Sequence, residues 1–271
     1  MSQNRQNFPL ISFDAKSPIL ARAEDHESGS RILWHNHDLS QLIHATRGVM
    51  TVETDEGLWV VPPERAVWVP AFKGHAIRMT GAVALRSLYL EPSLGPIAKD
   101  RCCVVQVSAI LRAAILRAIE FEQPYPEHGS EARLVAVILD EIRAAETAPL
   151  HLPKPKDPRA RRVAEEFQLD LSDRRPISAW ARFAGASERT LERLFRDEVG
   201  VTFGAWQRQA RLLRALEVMA AGLGVTAAAL EVGFETPSAF IAMFRRAMGT
   251  TPAKYFRGSQ DLEAKSQANA D

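Results

Sequence analysis

His35-Asn-His37 is the first point in this chain where side chains capable of chemistry are grouped. Alternate residues of a strand share a face, so the two imidazoles point the same way, as ligands of one ion would. Imidazole suits zinc, copper, iron or nickel. Gln41 and Gly48 follow. Pro70, Gly74 and His75 come from a later segment that supplies a third imidazole. The same polar set could instead bind a small organic effector or hydrogen-bond within itself, with Trp34, Trp59 and Trp68 as apolar walls. The candidate pocket, for effector or metal, is His35, His37, Gln41, Trp68 and His75. His26, His44, His128 and His151 have no partner pattern. Cys102 and Cys103 are adjacent, which matches neither a redox pair nor a zinc-ligand spacing, and they are read as packed thiols at a strand end. No Ser/His/Asp or paired-carboxylate spacing stands out, so no catalytic residue is assigned and the chain is not expected to be an enzyme.

The elements that must position this pocket are strands. Residues 48–54, 58–61 and 66–69 alternate or cluster β-formers, broken by Asp55-Glu-Gly57 and Pro62-Pro63. Residues 9–107 therefore read as a sandwich or small barrel. Residues 108–122 and 130–147 read as a helical pair, with Ser108 and Ser130 as N-caps. Ile110, Leu111, Ala114, Ile115 and Ala118 form one stripe; Leu134, Val137, Ile138 and Ile142 form the other. The pair could cover an open end of the sheet or join two copies of the chain. Residues 148–158 hold four prolines, which oppose helix and central strand and favour an extended linker.

Beyond the linker the chain carries one unit twice. Ser187 and Thr236 are hydroxyl N-caps, and Pro237 suits a first helical position. Phe195/Phe244, Arg196/Arg245, Gly200/Gly249 and Thr202/Thr251 recur at equal offsets from those caps. Leu191, Leu194 and Phe195 make a helical stripe, as do Phe240, Met243 and Phe244. Ala181/Gly185 and Ala229/Gly233 precede the caps. The glycines permit a sharp turn, and the alanines are small where helices must cross. A short helix, a glycine turn and a second helix make a helix-turn-helix, which lowers its second helix into the DNA major groove. The units lie at about 177–199 and 225–248. A helix from Arg159 to Leu169 should pack on the first. A long helix from Phe203 to Ala221, capped by Thr202, joins the two.

Charge agrees with that division. Residues 1–153 hold 15 Lys/Arg against 18 Asp/Glu, residues 154–257 hold 18 against 12, and residues 258–271 hold 1 against 3. The excess of six positive charges sits where phosphate binding needs it. A composition with 46% hydrophobic and 25% charged residues is that of a globular protein. No apolar run approaches a membrane span, and the N-terminus lacks the apolar core of a signal peptide. A cytoplasmic location is expected, with no membrane partner.

On these residues, from Ala181-x-x-x-Gly185 through Gly233-Phe-x-Thr-x-Ser-x-Phe240 to Gly249-Thr-Thr-Pro-Ala-Lys-Tyr255, the chain resembles the AraC/XylS family of bacterial transcription regulators. The resemblance covers about residues 159–257. It implies that Arg189, Glu192 and Arg193 face bases, with Glu188 beside them and Ser238, Ile241 and Ala242 equivalent in the second copy. Arginine pairs bidentately with guanine, and glutamate accepts from cytosine N4. Glu192 could instead orient Arg189 or Arg193. Ser187, Thr190, Thr236, Arg245 and Arg246 would hold the DNA backbone. The helical pair would dimerise. The His-x-His region resembles the cupin pattern, in which two His and a carboxylate meet a later His inside a small barrel. Here Gln41 stands where the carboxylate usually stands, and Gly74 directly precedes His75.

The expected fold is therefore two domains. An N-terminal all-β cupin-like barrel (9–107) is followed by the helical pair (108–147) and a linker (148–158). The C-terminal all-α domain (159–257) has two helix-turn-helix motifs joined by a long helix, and 258–271 would be a disordered tail. The expected function is sequence-specific binding of double-stranded promoter DNA in response to a small-molecule effector. RNA polymerase and a second copy of the chain are candidate partners. No cofactor is required, although a divalent metal is a candidate for the cupin-like site. The alternative is a metal-dependent cupin enzyme fused to a DNA-binding domain.

Overall fold

A computed structural model describes residues 18–94, 100–126 and 128–256; the expected tail at 258–271 and residues 9–17 lie outside them. The chain forms a sheet-rich unit, residues up to 55 with 59–150, and a helical unit, residues 56–58 with 151 onward.

The sheet-rich unit is built on two long strands, β3 (Ser40–Thr54) and β6 (His75–Leu90), paired antiparallel. β6 also pairs β1 (Ile19–His26) along residues 83–90 and β2 (Arg31–His35) along residues 75–78. β3 pairs β4 (Gly57–Val61) and β5 (Arg65–Val69). The sheet continues through β7 (Cys103–Gln106) to β8 (Thr147–Ala148). Register shifts near Arg47 bend β3. Gly48 sits there at φ +76, where a Cβ would lie 2.6 Å from the Ala82 carbonyl oxygen, so only glycine lets the two backbones approach so closely.

Side-chain alternation gives the sheet two faces. Leu42, Ala66, Trp68, Leu88 and Val105 pack against α1 (Ala109–Ala118) and α2 (Ser130–Ala144) through Leu111, Ile115, Ile138 and Ile142. Ser108 caps α1, its hydroxyl accepting from Leu111 N at 3.0 Å. Three expectations shift. Gly129, not Ser130, is the N-cap of α2. The stripes rotate, so Ile110 and Val137 are exposed while Val135 and Leu139 are buried. Residues 148–158 are extended but not a free spacer. Ala148 pairs with Val104, Leu150 and Leu152 are buried, and the segment holds strand β9 (His151–Pro153).

The helical unit comprises α3 (Pro158–Leu169), α4 (Ile177–Ala184), α5 (Glu188–Val199), α6 (Phe203–Ala220), α7 (Val225–Glu231) and α8 (Pro237–Met248). Glu198 accepts the Lys156 and Asp157 amides at 2.6 and 2.9 Å, and Trp206 Nε1 donates to the Pro153 carbonyl at 2.9 Å. These bonds tie the proline segment to this unit. α3 packs on α4 and α5, and Phe167, Trp180, Phe195, Phe203 and Trp206 form one aromatic core. The edge-to-face pairs among them, Phe167–Trp180 and Trp180–Phe203, contribute about 0.5–1.5 kcal/mol each beyond area burial.

The two copies of the repeat close alike. Ser187 Oγ accepts from Thr190 N, and Thr236 Oγ1 from Ala239 N. After α4 the Gly185 and Ala186 amides donate to Arg182 and Ala181; after α7 the Gly233 and Phe234 amides donate to Leu230 and Ala229. This is the same paired closure of a helix end in both. Gly200 and Gly249 end α5 and α8 at φ 77 and 75.

Candidate functional site

On α5, Leu191, Leu194 and Phe195 face inward, which leaves Glu188, Arg189 and Arg193 exposed, with Glu192 half-buried. The expectation that Glu192 orients Arg189 or Arg193 is corrected. Glu192 Oε2 lies 4.0 Å from Arg196 Nε, whereas Arg193 pairs with Asp197 at 3.4 Å. The i,i+4 spacing along one helix face decides both pairings. Both are weak at a solvated surface, so Arg193 can exchange its partner for a base edge. Thr190 is spent partly on the cap, its hydroxyl 2.9 Å from Ser187 Oγ.

On α8, Phe240 and Phe244 are buried. Ser238, Ile241, Ala242, Arg245 and Arg246 line a shallow open depression on the other side. Thr236 is exposed at the head of the helix. Arg189, Arg245 and Arg246 form no ion pair among the described residues, so their guanidinium groups remain available to phosphate or base. The α7–α8 turn is braced from outside the repeat. Arg174 reaches Glu235 and the Gly233 carbonyl, and Arg211 holds the Leu171 and Asp173 carbonyls at 2.8 and 3.2 Å.

In the sheet-rich unit, His35, His37 and His75 converge, with ligand atoms within 4.8 Å of one another. β2 and β6 supply His35 and His75, which are cross-strand partners. Each ring's Nδ1 lies against a backbone carbonyl: Leu33 at 2.8 Å, Leu39 at 2.6 Å and Lys73 at 2.9 Å. A carbonyl only accepts, so Nδ1 is the donor in each of these contacts, which leaves Nε2 of His75 as an acceptor. Gln41, on β3, is buried. Its Nε2 donates to Ser87 Oγ at 3.2 Å, and its Oε1 stands 3.1 Å from His37 Nε2. Burial pushes the His75 imidazole down to about 3 and lowers His35 also. His75 Nε2 is buried without a hydrogen-bond partner. Lone pairs fixed by carbonyl contacts on the far nitrogen are the arrangement a transition metal uses.

Trp68 is not with them. It pairs across from Leu42 on the helix-covered face, whereas Gln41 lies on the opposite face opposite Val69. Trp34 packs against the residue before His75: a Cβ on Gly74 would sit 2.8 Å from its Nε1, so glycine there makes room for the indole. Two residues were missed by sequence reasoning. Ser87 anchors Gln41, and Tyr89 lies edge-on to His37 at 5.4 Å between ring centroids. Their two-residue spacing on one strand was the available signal.

A sheet-rich N-terminal unit followed by a helical unit carrying a helix-turn-helix defines a class, and comparison with known proteins gives the same one. Residues 180–258 match the family model described as a helix-turn-helix domain. The chain belongs to the AraC/XylS family and is a DNA-binding transcriptional regulator. It is 33% identical to the HTH-type transcriptional regulator NimR of Escherichia coli K12, over 82% of this chain and 81% of that protein. It is 31% identical to RipA of Corynebacterium glutamicum over 39% of this chain and 32% of that protein. Among solved structures it is similar to ToxT from Vibrio cholerae, with a TM-score of 0.38 and 10% identity over 88% of this chain and 98% of that one.

Proposed function

We propose that both helix pairs are helix-turn-helix motifs and that they grip promoter DNA unequally. The observation that carries this is the identical closure of the two units, set against their different outward residues. α5 presents Arg189, Glu192 and Arg193, which can read guanine and cytosine edges. α8 presents Ile241 and Ala242, which offer only apolar contact, beside Arg245 and Arg246, which suit phosphate. α6, at 18 residues, is about 27 Å long at 1.5 Å per residue and can hold two recognition helices about one DNA turn, 34 Å, apart. Hydroxyl-radical footprinting tests this: two protected patches on one face of the duplex, about 10 base pairs between centres, are expected. A single patch sinks the two-motif reading.

The sheet-rich unit is, in this proposal, a cupin-like sensor whose effector site is the imidazole cluster. The orphaned Nε2 of buried His75 supports a metal there, held by His35, His37 and His75 with Gln41 Oε1. Such an ion would supply Lewis acidity that fixes a bound ligand. The exposed Ile110 and Val137 on α1 and α2 support a role in pairing two copies of the chain. Placement in the cytoplasm and contact with RNA polymerase accord with promoter binding.

A further inference from the structure

We propose that residues 170–175, together with Arg211, tie the two helix pairs to each other and make the spacing between the two half-sites a determinant of specificity. Arg174, Arg175 and Arg211 are its positioning residues. This rests on reading both helix pairs as helix-turn-helix motifs. The segment joins α3 to α4 and is stiffened by its own carboxylates. Asp170 accepts from the Ser172 amide and hydroxyl at 2.9 and 2.6 Å, and Asp173 accepts from the Arg175 amide and Nε at 2.8 and 2.7 Å. Adjacent arginines then reach different motifs. The Arg175 guanidinium lies 3.9 Å from the ring centroid of Trp180, which is buried in α4. Arg174 bonds Glu235 and the Gly233 carbonyl, in the turn before α8. Arg211, from the middle of α6, lies 5.3 Å over the Phe167 ring and donates to the Leu171 and Asp173 carbonyls. A planar guanidinium can hold two carbonyls at once, a fork that an ammonium group does not reproduce.

The repeat shows what the tie is not for. Gly185 and Gly233 lie in turns closed by the same pair of backbone bonds. A Cβ on Gly185 would meet nothing within 4 Å, whereas one on Gly233 would lie 2.6 Å from Ser172 Cα. The first motif closes without a brace, so closure of the second does not require one. Each copy also has its own aromatic cluster, around Phe167 and Trp180 in the first and around Phe234, Phe240 and Phe244 in the second. The tie runs from the first cluster to the turn of the second copy. Glu235 directly precedes Thr236, the N-cap of α8, so the second recognition helix is held at its head. Ile241 and Ala242 distinguish few bases. The second motif then adds specificity by where it stands relative to α5, because half-site spacing mirrors the geometry of the protein.

The test measures affinity by anisotropy for a duplex selected from a random pool, for the same duplex with one or two base pairs inserted between its half-sites, and for the half-site under α5 alone. Each inserted base pair moves the second half-site about 3.4 Å and turns it about 35°. The unsubstituted chain is expected to lose at least about tenfold on the first insertion. Arg211→Lys keeps the charge but not the fork, and should cut that penalty to about threefold or less. Its affinity for the single half-site and its salt slope should stay unchanged. Arg174 is exposed, so Arg174→Ala should fold and relax the spacing in the same direction; circular dichroism confirms that both variants are folded. A penalty in Arg211→Lys and Arg174→Ala equal to that of the unsubstituted chain overturns the proposal. So does a loss that is the same at every spacing and on the single half-site, since that is the mark of a purely structural or phosphate-binding role. Footprinting of the unsubstituted chain separates the two readings. Two protected patches with affinity indifferent to spacing overturn the tie alone, whereas a single patch overturns the two-motif reading and the tie with it.

Discussion

Gly185 and Gly233 occupy the same place in the two copies of the repeat, and replacing each with alanine should have unequal consequences. Both sit in the left-handed region, at φ 65 and 81, where an L side chain costs roughly 1–2 kcal/mol. Both substitutions also remove unfolded-state freedom, which offsets about 0.4–1 kcal/mol. These effects are common to the pair. The surroundings are not. A Cβ on Gly185 meets nothing within 4 Å, whereas one on Gly233 would lie 2.6 Å from Ser172 Cα and 2.7 Å from the Leu171 carbonyl oxygen. Those are backbone atoms held in place by Arg211, so they cannot swing aside as a flexible side chain would. Overpacking of this kind adds about 1–3 kcal/mol. Gly185→Ala should therefore cost about 1 kcal/mol and Gly233→Ala about 2–4 kcal/mol. Urea denaturation followed by the helical circular dichroism signal measures both. Gly233→Ala should also weaken DNA binding in the folded protein, since α8 must shift. Equal costs for the two variants, within about 0.5 kcal/mol, would refute the argument that residues 171–172 brace the second turn.

Arg193→Ala should lose about 1–3 kcal/mol of binding and blur one base position, as read by competition among single-base variants of the selected duplex. Arg246→Ala should weaken all sequences alike and reduce the salt slope by about one, as read by anisotropy titrations at several salt concentrations. The sheet-rich unit should lose stability in acid. Burial holds His75 down at about 3 and His44 at about 4, both below the ordinary 6.5. The unfolded chain therefore takes up these protons first, so the stabilisation is complete above 6.5 and declines as the pH falls toward those values. A melting temperature of the apo protein that is flat between about pH 7 and 5 would contradict this.

The helical unit was more legible in the sequence than the sheet-rich one. Caps and left-handed glycines are local devices: a hydroxyl at Ser187, Thr202 or Thr236 meets an amide three residues on, whatever the rest of the chain does. The sheet depends on distant partners. Alternation separates Gln41 from Leu42 but does not say which face α1 and α2 cover, and so Trp68 was set on the wrong side. The stripes of those helices were displaced for the same reason, because Ile110 and Val137 fit an apolar pattern whose orientation only the sheet decides. The proline segment misled because proline removes donors yet leaves carbonyls, and Trp206 bonds one of them at Pro153. His35 and His37 were visible from their spacing, but the ring-orienting carbonyls of Leu33, Leu39 and Lys73 are backbone groups that no residue type announces.

Selection of binding sites from a random duplex pool with this chain separates a reading helix from an anchoring one. A bipartite motif is expected, with a strongly specified half, read by Arg189, Glu192 and Arg193, and a weakly specified half under Ile241 and Ala242, about one helical turn away. Equal information in the two halves, or enrichment of no motif at all, would contradict it.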